Sequence, residues 1–360
     1  MGDPGGSPDI GESCNLIGMN VDYLKFDKLK ERDRRDVFEA TADRLGTTVQ
    51  AIEKDVWVCR VIDALFKGLG RQPKLFFKGG TSLSKGYGLI KRFSEDIDIV
   101  VSRGGLGIKA AGDPLKADLS NKKRRAAVDA TKEKCSKHVL GAMRAKLEVL
   151  MPDCGFEADD DDEDRASLRV KYPSLLKADG YLKPWVKIEC GARGAREPEA
   201  KRAIVPYIQQ ELGTKLKLAT EGVTLIAAER TFWEKALILH GIHCGFRDAE
   251  RRPSDNNLIS RHYYDVAMMR DRPEGLRALR NHDLLARVRT HKLMLFRKAW
   301  EKLEEAEPGR VRLVPQAAIV PDLEKDYAAM SGMIFGEAPA FAWVLEELEK
   351  LEESINRRLV

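Results

Sequence analysis

The chain has 360 residues, of which 43% are apolar and 33% are charged, a composition typical of globular proteins rather than disordered or fibrous ones. No run approaches the roughly 18 consecutive apolar residues that a membrane helix requires, so we expect no membrane-spanning segment. The 62 Lys and Arg residues outnumber the 57 Asp and Glu residues by only five, and the six cysteines show no CxxC spacing, which favours reduced thiols in a cytoplasmic protein without zinc.

The first hundred residues are predicted to contain a leader, two helices and two strands. Residues 1–18 are rich in Gly, Pro and Ser without apolar periodicity, so we expect a flexible leader rather than a secretory signal. Helical spacing of apolar residues, with terminal signals, predicts helices over 33–45 and 47–68. The apolar run 75–77 predicts a buried strand, and the alternation of acidic and apolar residues over 96–101 predicts another.

Local charge dominates the middle of the chain. Ser120 is suited to cap a long basic helix over 122–150, whereas the segment 157–164 is too acidic to bury and predicts a solvated loop. Two further strands are predicted near 167–172 and 185–190. From residue 227 onward the signals are helical, and helices are predicted over 228–243, 260–270, 281–304 and 339–357.

This order of elements predicts an α+β fold. We expect a small mixed β-sheet core flanked by N-terminal helices, followed by a helical C-terminal lobe, which together make a bilobal protein. The predicted divisions are a flexible leader (1–18), a core lobe with the N-terminal helices (19–220) and the helical lobe (221–360).

Two acidic residues lie in the most informative segment of the chain. The predicted strand 75–77 runs into Gly-Gly-Thr-Ser, and Ser-Glu-Asp-Ile-Asp then leads into the next strand. Carboxylates at positions i and i+2 of a strand point to the same face, so Asp96 and Asp98 can share a pair of divalent cations. Such cations neutralise the charge of a nucleoside triphosphate during nucleotidyl transfer. The segment therefore predicts a metal site for Mg²⁺, with Mn²⁺ as an alternative.

The Gly-Gly-Thr-Ser segment is suited to binding phosphate. Gly79 and Gly80 have no Cβ atom, so their backbone N–H groups can approach a phosphate closely. Thr81 and Ser82 add hydroxyl donors at the start of a short helix, whose dipole favours anions. We therefore expect these four residues to bind the phosphates of the nucleotide.

Four segments together resemble a known family. The stretch KGGTSLSKGYGLIKRFSEDIDIV resembles the AbiEii/AbiGii group of nucleotidyltransferase toxins, which includes the MenT toxins and belongs to the DNA polymerase β-like superfamily. The upstream helix AIEKDVWVCRVIDALF and the downstream segments TFWEKAL (231–237) and SRHYYDV (260–266) resemble the same group. The resemblance covers about residues 45–270. It implies a nucleotidyltransferase core and a toxin of a toxin–antitoxin or abortive-infection (phage defence) system, with a cognate antitoxin.

The resemblance also implies roles for single residues. Asp96 and Asp98 match the metal-binding carboxylates of the family, and residues 79–82 match its phosphate-binding loop. Lys235 matches a helix lysine that contacts the triphosphate. Asp265 matches an acidic residue that orders this lysine or the base pocket. All of these residues are therefore candidates for the catalytic or nucleotide-binding site.

Glu189 is a further candidate. It lies where the superfamily often has a third carboxylate, which binds metal and accepts the proton of the attacking hydroxyl. The alternative is a solvent-facing residue on a strand whose other face is apolar. Lys187 lies on the same face and could pair with Glu189 or reach a phosphate.

The distribution of charge indicates the acceptor better than the net charge does. Residues 103–146 hold twelve Lys or Arg against four Asp or Glu, residues 147–164 hold nine acidic residues and no basic ones, and residues 241–300 hold thirteen basic against seven acidic. Basic surfaces beside a polymerase-like cleft suit an RNA acceptor. The candidate RNA-binding residues at the start of the basic helix are Lys122, Lys123, Arg124 and Arg125.

Three functions remain open at this point. The first is transfer of a nucleoside monophosphate from a nucleoside triphosphate to RNA, where the family resemblance implies the 3′ end of a tRNA. The second is transfer to a protein hydroxyl, and the third is binding of nucleotide or RNA without turnover. The pair Asp96 and Asp98 argues against the third, because a binding module does not need two aligned carboxylates.

Overall fold

A seven-stranded mixed sheet forms the centre of the N-terminal part of the protein. The computed structural model describes residues 18–176, 183–253 and 258–357, so residues 1–17 of the predicted leader lie outside the described residues. Within the sheet the strand order is β3-β4-β5-β2-β1-β7-β6. The strands are β1 (Leu75–Lys78), β2 (Ile97–Val101), β3 (Gly155–Ala158), β4 (Ser167–Lys171), β5 (Trp185–Gly191), β6 (Glu199–Ile204) and β7 (Thr220–Ile226).

The helices surround this sheet and form the whole C-terminal part. Two predicted caps are present: Thr48 accepts a hydrogen bond from the backbone N–H of Ala51, and Ser120 accepts one from that of Lys123. The helices are α1 (Asp22–Asp27), α2 (Glu31–Leu45), α3 (Val49–Asp63), α4 (Gly79–Thr81), α5 (Asn121–His138), α6 (Arg144–Leu150), α7 (Gln209–Leu212), α8 (Ala228–Ala249), α9 (Ser260–Met269), α10 (Pro273–Leu279), α11 (His282–Leu295), α12 (Val320–Ser331) and α13 (Phe341–Asn356). The predicted α+β fold is confirmed.

The central strands bring separate parts of the sequence side by side. β1 pairs antiparallel with β2, and β2 pairs parallel with β5. In this register Asp98 lies opposite Lys78 on one side and opposite Glu189 on the other. The sheet therefore places the predicted Asp pair beside the predicted third carboxylate, although 91 positions separate Asp98 from Glu189 in the sequence.

Two sequence-based boundaries differ from the structure. The helix predicted over 281–304 ends at Leu295, because the chain then enters short 3₁₀ turns on either side of Lys302, which has a positive φ of 47°. The prediction also missed strands β3, β6 and β7. β6 was missed because most of its side chains are charged or exposed, as is common at a sheet edge.

The described residues form two large hydrophobic clusters. One combines the N-terminal helices with the sheet and α5–α6, and it includes Val223 and Leu225 of β7. The other joins α8–α13 and is extended by Leu83, Leu89 and Ile90. The predicted division at 220/221 falls at the first residue of β7, inside the sheet. No helix in the described parts of the chain is both long and apolar enough to cross a membrane.

Candidate active site

Three carboxylates meet at one edge of the central strands. Asp96 immediately precedes β2, Asp98 lies within it, and Glu189 lies opposite Asp98 on β5. They line a cavity of about 210 Å³, which we call the carboxylate cavity. Its lining residues are Lys78, Gly79, Gly80, Arg92, Ser94, Asp96, Asp98, Glu189, Thr231, Glu234, Lys235, Ile238, Arg261 and His262.

Gly79 and Gly80 form the wall of this cavity beside the carboxylates. Gly79 has a φ of +80°, and a Cβ atom on it would lie 1.9 Å from Oδ2 of Asp98. A Cβ atom on Gly80 would lie 2.6 Å from Nη2 of Arg92. Both positions therefore require glycine, because a side chain at either one would displace a neighbouring charged group.

The hydroxyl groups of Thr81 and Ser82 do not face the cavity, which corrects the sequence-based expectation. Both side chains are buried. Thr81 Oγ1 donates to the carbonyl oxygen of Asp96 at 2.5 Å, and Ser82 Oγ donates to that of Gly79 at 2.9 Å. The hydroxyls hold the glycine turn against the segment before β2, since this packing satisfies them inside the protein.

A buried charge cluster forms the opposite wall. Lys235 on α8 lies with Nζ 2.9 Å from Oδ2 of Asp265 on α9 and 3.2 Å from Nδ1 of His262. Arg92 makes two hydrogen bonds of 2.8 Å to the Asp265 carboxylate. The structure thus brings Asp265 into contact with Lys235, as the sequence predicted, and adds Arg92, which the sequence analysis missed.

Burial and charge shift the pKa values of this cluster in different directions. Burial alone would raise the pKa of Asp265, but Arg92 and Lys235 hold it well below its usual value. Burial lowers the pKa of Lys235, and Asp265 partly offsets this effect. Burial and the nearby Lys235 charge lower the pKa of His262 well below its usual value, so the ring is neutral. One carboxylate therefore orients two cations at the cavity wall.

The carboxylates themselves lack compensating charge. Desolvation, followed by the charges of Glu189, Glu95 and Asp98, raises the pKa of Asp96 to about 7. Desolvation also raises the pKa of Asp98, although Lys78 opposes the shift. In addition, Oγ1 of Thr231 is buried in the cavity wall without a hydrogen-bond partner. Crowded oxygen ligands that repel one another are the chemistry that a divalent cation stabilises, so the residues fit such an ion.

Glu189 is engaged by a lysine. Lys187 lies with Nζ 2.5 Å from Oε1 of Glu189 and 3.0 Å from Oδ2 of the buried Asp159. The predicted pairing of Lys187 with Glu189 is therefore present. Within residues 18–176, 183–253 and 258–357, no three His, Cys, Asp or Glu side chains already converge as metal ligands. Asp96 and Asp98 are consequently the two carboxylates of the trio without an ion pair.

The acidic run before β4 is not a solvated loop, which corrects another expectation. Asp159 pairs with Arg169 and Lys187 and is 3% exposed. Asp164 pairs with Lys132 of the basic helix and with Arg193. These distant cations explain why so many carboxylates fold against the protein: each ion pair offsets the cost of desolvation.

The candidate RNA-binding residues divide into two kinds. Lys122, Lys123 and Arg125 are exposed on the first turns of α5. Arg124 instead donates to the carbonyl oxygens of Pro114, Ala117 and Leu119. It therefore holds the preceding loop and is not a free surface cation. In the second basic stretch, Arg270, Arg277, Arg289 and Arg297 all form ion pairs with carboxylates.

Several other cavity residues were missed by the sequence analysis. They are Lys78, Ser94, Thr231, Glu234, Ile238 and Arg261. Their position next to recognised motif residues was the available signal, since Lys78 precedes Gly79 and Thr231 and Glu234 lie one turn from Lys235. Adjacency could not show which side chains point toward the cavity, because that depends on the packing of α8 against the sheet.

Comparison with known proteins identifies the family. The sequence profile of the nucleotidyl transferase AbiEii toxin family, of type IV toxin–antitoxin systems, matches residues 63–347. The chain is similar to a solved structure of MenT4, a nucleotidyltransferase toxin from Mycobacterium tuberculosis H37Rv, with 17% identity, a TM-score of 0.36 and coverage of 82% of this chain and 98% of that one. No curated protein matches the chain. Since the profile spans most of its length, the chain belongs to the AbiEii family of nucleotidyltransferase toxins.

Proposed function

We propose that this AbiEii-family toxin transfers a nucleoside monophosphate from a nucleoside triphosphate to RNA, at the 3′ end of a tRNA, in a Mg²⁺-dependent reaction in the cytoplasm. The observation that carries the proposal is the single cavity that Asp96, Asp98 and Glu189 share with Gly79 and the buried Lys235. Acidic oxygens at one wall and cations at the other match the two needs of a triphosphate, which binds metal ions and requires positive charge.

Asp96 and Asp98 are the proposed metal ligands. Both are half-buried at the cavity and neither forms an ion pair with another described residue. Bound there, Mg²⁺ would neutralise charge on the triphosphate, and Mn²⁺ would suit the same oxygens. Glu189 is the proposed third carboxylate, and it joins the other two when Lys187 keeps only its contact with Asp159.

The phosphates are proposed to lie along the wall formed by the two glycines. The absence of a Cβ atom on Gly79 and Gly80 lets the backbone come close to phosphate oxygens. Lys235 supplies a buried cation whose position Asp265 fixes at 2.9 Å. Lys78 and Arg261 also line the cavity and add positive charge. These groups hold the β- and γ-phosphates that leave as pyrophosphate.

The remaining step is attack by the acceptor hydroxyl. Its oxygen forms a new bond to the α-phosphorus while the bond from that phosphorus to the pyrophosphate oxygen breaks. Glu189 is proposed to accept the proton of the hydroxyl, since it is partly exposed at the cavity and lies opposite Asp98. Lys187 then remains next to Glu189 and balances its charge before the reaction.

The exposed part of α5 supports RNA as the acceptor. Lys122, Lys123 and Arg125 are solvent-exposed and form no ion pair with another described residue, so their charge is available to a polyanion. Phosphate contacts of this kind supply most of the sequence-independent affinity for RNA. Transfer to protein remains the competing outcome, because both acceptors present a hydroxyl group.

Incubation with α-labelled nucleoside triphosphates, Mg²⁺, total tRNA and a mixture of cellular proteins tests the proposal. We expect label in the tRNA, at its 3′ end after nuclease mapping, and none when a chelator removes Mg²⁺. Label confined to protein would replace the RNA acceptor with a protein hydroxyl. An absence of label in both fractions would contradict nucleotidyl transfer itself.

A further inference from the structure

A second cavity, of about 460 Å³, adjoins the site and is lined by arginine. Its walls come from Arg103 after β2, Arg196 and Glu197 before β6, Arg230 on the first turn of α8, and Arg287 on α11. We call it the arginine cavity. Four guanidinium groups and a single carboxylate line it, so its charge composition is opposite to that of the carboxylates around Asp96.

Two of these arginines already have partners and two do not. Arg103 pairs with Asp113 at 3.0 Å, and Arg230 pairs with Glu234 at 3.0 Å. Arg196 and Arg287 make no ion pair or side-chain hydrogen bond with any other residue that the structure describes. Their two positive charges face the single charge of Glu197, so the cavity keeps an excess of positive charge.

Arg230 adds an unusual feature to the wall. Its side chain is 4% exposed, and its Nη2 atom is buried without a hydrogen-bond partner. Its other nitrogens donate to Glu234 and to the carbonyl oxygen of Glu197. Burial lowers the pKa of Arg230, and the neighbouring charge of Arg287 lowers it further although Glu234 opposes both effects. A buried donor without an acceptor costs free energy that a bound anion would recover.

The arginine cavity shares a wall with the carboxylate cavity. Glu234, the partner of Arg230, lines the carboxylate cavity, and the two residues are one helical turn apart on α8. Any group in the arginine cavity would therefore lie close to the reacting centre. Burial and the charge of Arg230 lower the pKa of the lining residue His291 to about 4, so this ring is neutral near pH 7 and does not add to the charge.

We propose that the arginine cavity binds a backbone phosphate of the RNA acceptor, next to the nucleotide whose hydroxyl is modified. This proposal rests on the proposed function. A guanidinium group presents several N–H donors in a plane that matches phosphate oxygens, and Arg196 and Arg287 have such donors unused. The volume exceeds that of a phosphate group alone, which leaves room for the attached sugar.

The nucleoside triphosphate is a second source of phosphate, and the charges argue against it. Its phosphates already face Lys78, Lys235 and Arg261 in the carboxylate cavity. The arginine cavity lies on the far side of the Arg230–Glu234 pair. A phosphodiester of the acceptor is therefore the better match, because the acceptor must approach the α-phosphorus from outside the triphosphate site.

Charge reversal at Arg196 and Arg287 tests the proposal. We compare Arg196→Glu, Arg287→Glu and the matched control Arg310→Glu, whose side chain is exposed and lines neither cavity. Affinity for a short fluorescein-labelled single-stranded RNA is measured by anisotropy over a series of salt concentrations, and affinity for the nucleoside triphosphate is measured separately by calorimetry. Unchanged thermal unfolding shows that each variant is folded, as expected for side chains without internal partners.

We expect each cavity variant to lose about tenfold in RNA affinity and to lower the salt dependence by about 0.7 per lost phosphate contact, while nucleotide affinity stays within about twofold. The control should match the wild type. RNA affinity equal to that of the control would overturn the proposal, as would a loss confined to nucleotide binding. Label transfer is read in parallel: a wild type that binds RNA at this cavity without labelling it would contradict the proposed function and leave the binding site intact.

Discussion

The contact between Gly79 and Asp98 sets the geometry of the carboxylates at the scale of single residues. The missing Cβ atom at position 79 leaves space that Oδ2 of Asp98 occupies. The positive φ of Gly79 would also strain any other residue. Sequence reasoning identified this glycine through expected phosphate contacts. Its packing against a carboxylate 19 positions away could not be read from the sequence, because it depends on the β1–β2 register.

Gly79→Ala should therefore inactivate the enzyme. The new methyl group must displace Asp98, and we expect transfer activity to fall by at least about 100-fold, which corresponds to about 2.7 kcal/mol. Gly88→Ala is a matched control, because Gly88 also has a positive φ but its Cβ atom would meet nothing within 4 Å. Both variants should be destabilised by about 1–2 kcal/mol from strain alone. Equal activities of the two variants would contradict this role of Gly79.

Lys235 should act mainly on nucleotide affinity. We expect Lys235→Met to raise the Kd for nucleoside triphosphate by roughly 10–100-fold, because a buried cation at the cavity wall is lost. Arg92 still holds Asp265 in this variant, so the fold should persist. Calorimetry without acceptor measures the affinity, and the exposed Lys325→Met on α12 serves as control. An unchanged Kd would remove Lys235 from the nucleotide site.

The Arg92–Asp265 ion pair connects separate elements. Arg92 precedes β2 at the edge of the sheet, and Asp265 lies on α9 in the helical part, with both side chains buried. The sequence could predict each motif but not this pairing, because an arginine in a polar segment resembles a solvated residue. Tertiary packing alone decides that it is buried.

Asp265→Asn should destabilise the protein strongly. Removal of one partner leaves the buried Arg92 charge uncompensated, and we expect a loss of about 3–5 kcal/mol in the free energy of unfolding. The control is Asp322→Asn, which removes the partner of Arg252 in an exposed ion pair and should cost less than about 1 kcal/mol. Urea unfolding measures both values. Similar losses in the two variants would show that the buried pair has no special weight.

Acidic pH should weaken the same connection. The pKa of Asp265 is lowered in the folded protein, so its stabilising effect is complete above the carboxyl pKa of the unfolded chain, about 3.9. As pH falls below that value, the unfolded state binds the proton first and the contribution is lost. Wild type should therefore lose stability more steeply below about pH 4 than Asp265→Asn does. Parallel pH profiles would contradict this assignment.

Helices were easier to predict than strands at the scale of elements. Caps such as Thr48 and Ser120 and long apolar periodicities are local signals, and they placed α2, α3, α5 and α8 correctly. Short edge strands carry little periodicity, so β3 and β6 could not be distinguished from loops. The predicted strands β1, β2 and β5 were the ones that carry the carboxylates, which is why the site could be foreseen.

Charge is organised over the whole molecule in a way that the net value of +5 conceals. The acidic run before β4 is largely consumed by internal pairs with Arg169, Lys187 and Lys132. Unpaired cations remain on α5 and in the arginine cavity. We propose that these surfaces guide RNA to the carboxylate cavity, and that the two lobes divide after Ile226, between the clusters of the sheet and of the C-terminal helices.

The central claim is that nucleotidyl transfer takes place at Asp96 and Asp98. The most direct test is the single-turnover rate of label transfer to tRNA for Asp98→Asn, with Asp118→Asn as control because Asp118 is exposed and lies outside the cavity. We expect the Asp98 variant to be slower by at least about 1,000-fold, which is about 4 kcal/mol in the barrier, and to remain folded. The control should keep the wild-type rate. A wild-type rate in Asp98→Asn would contradict the account.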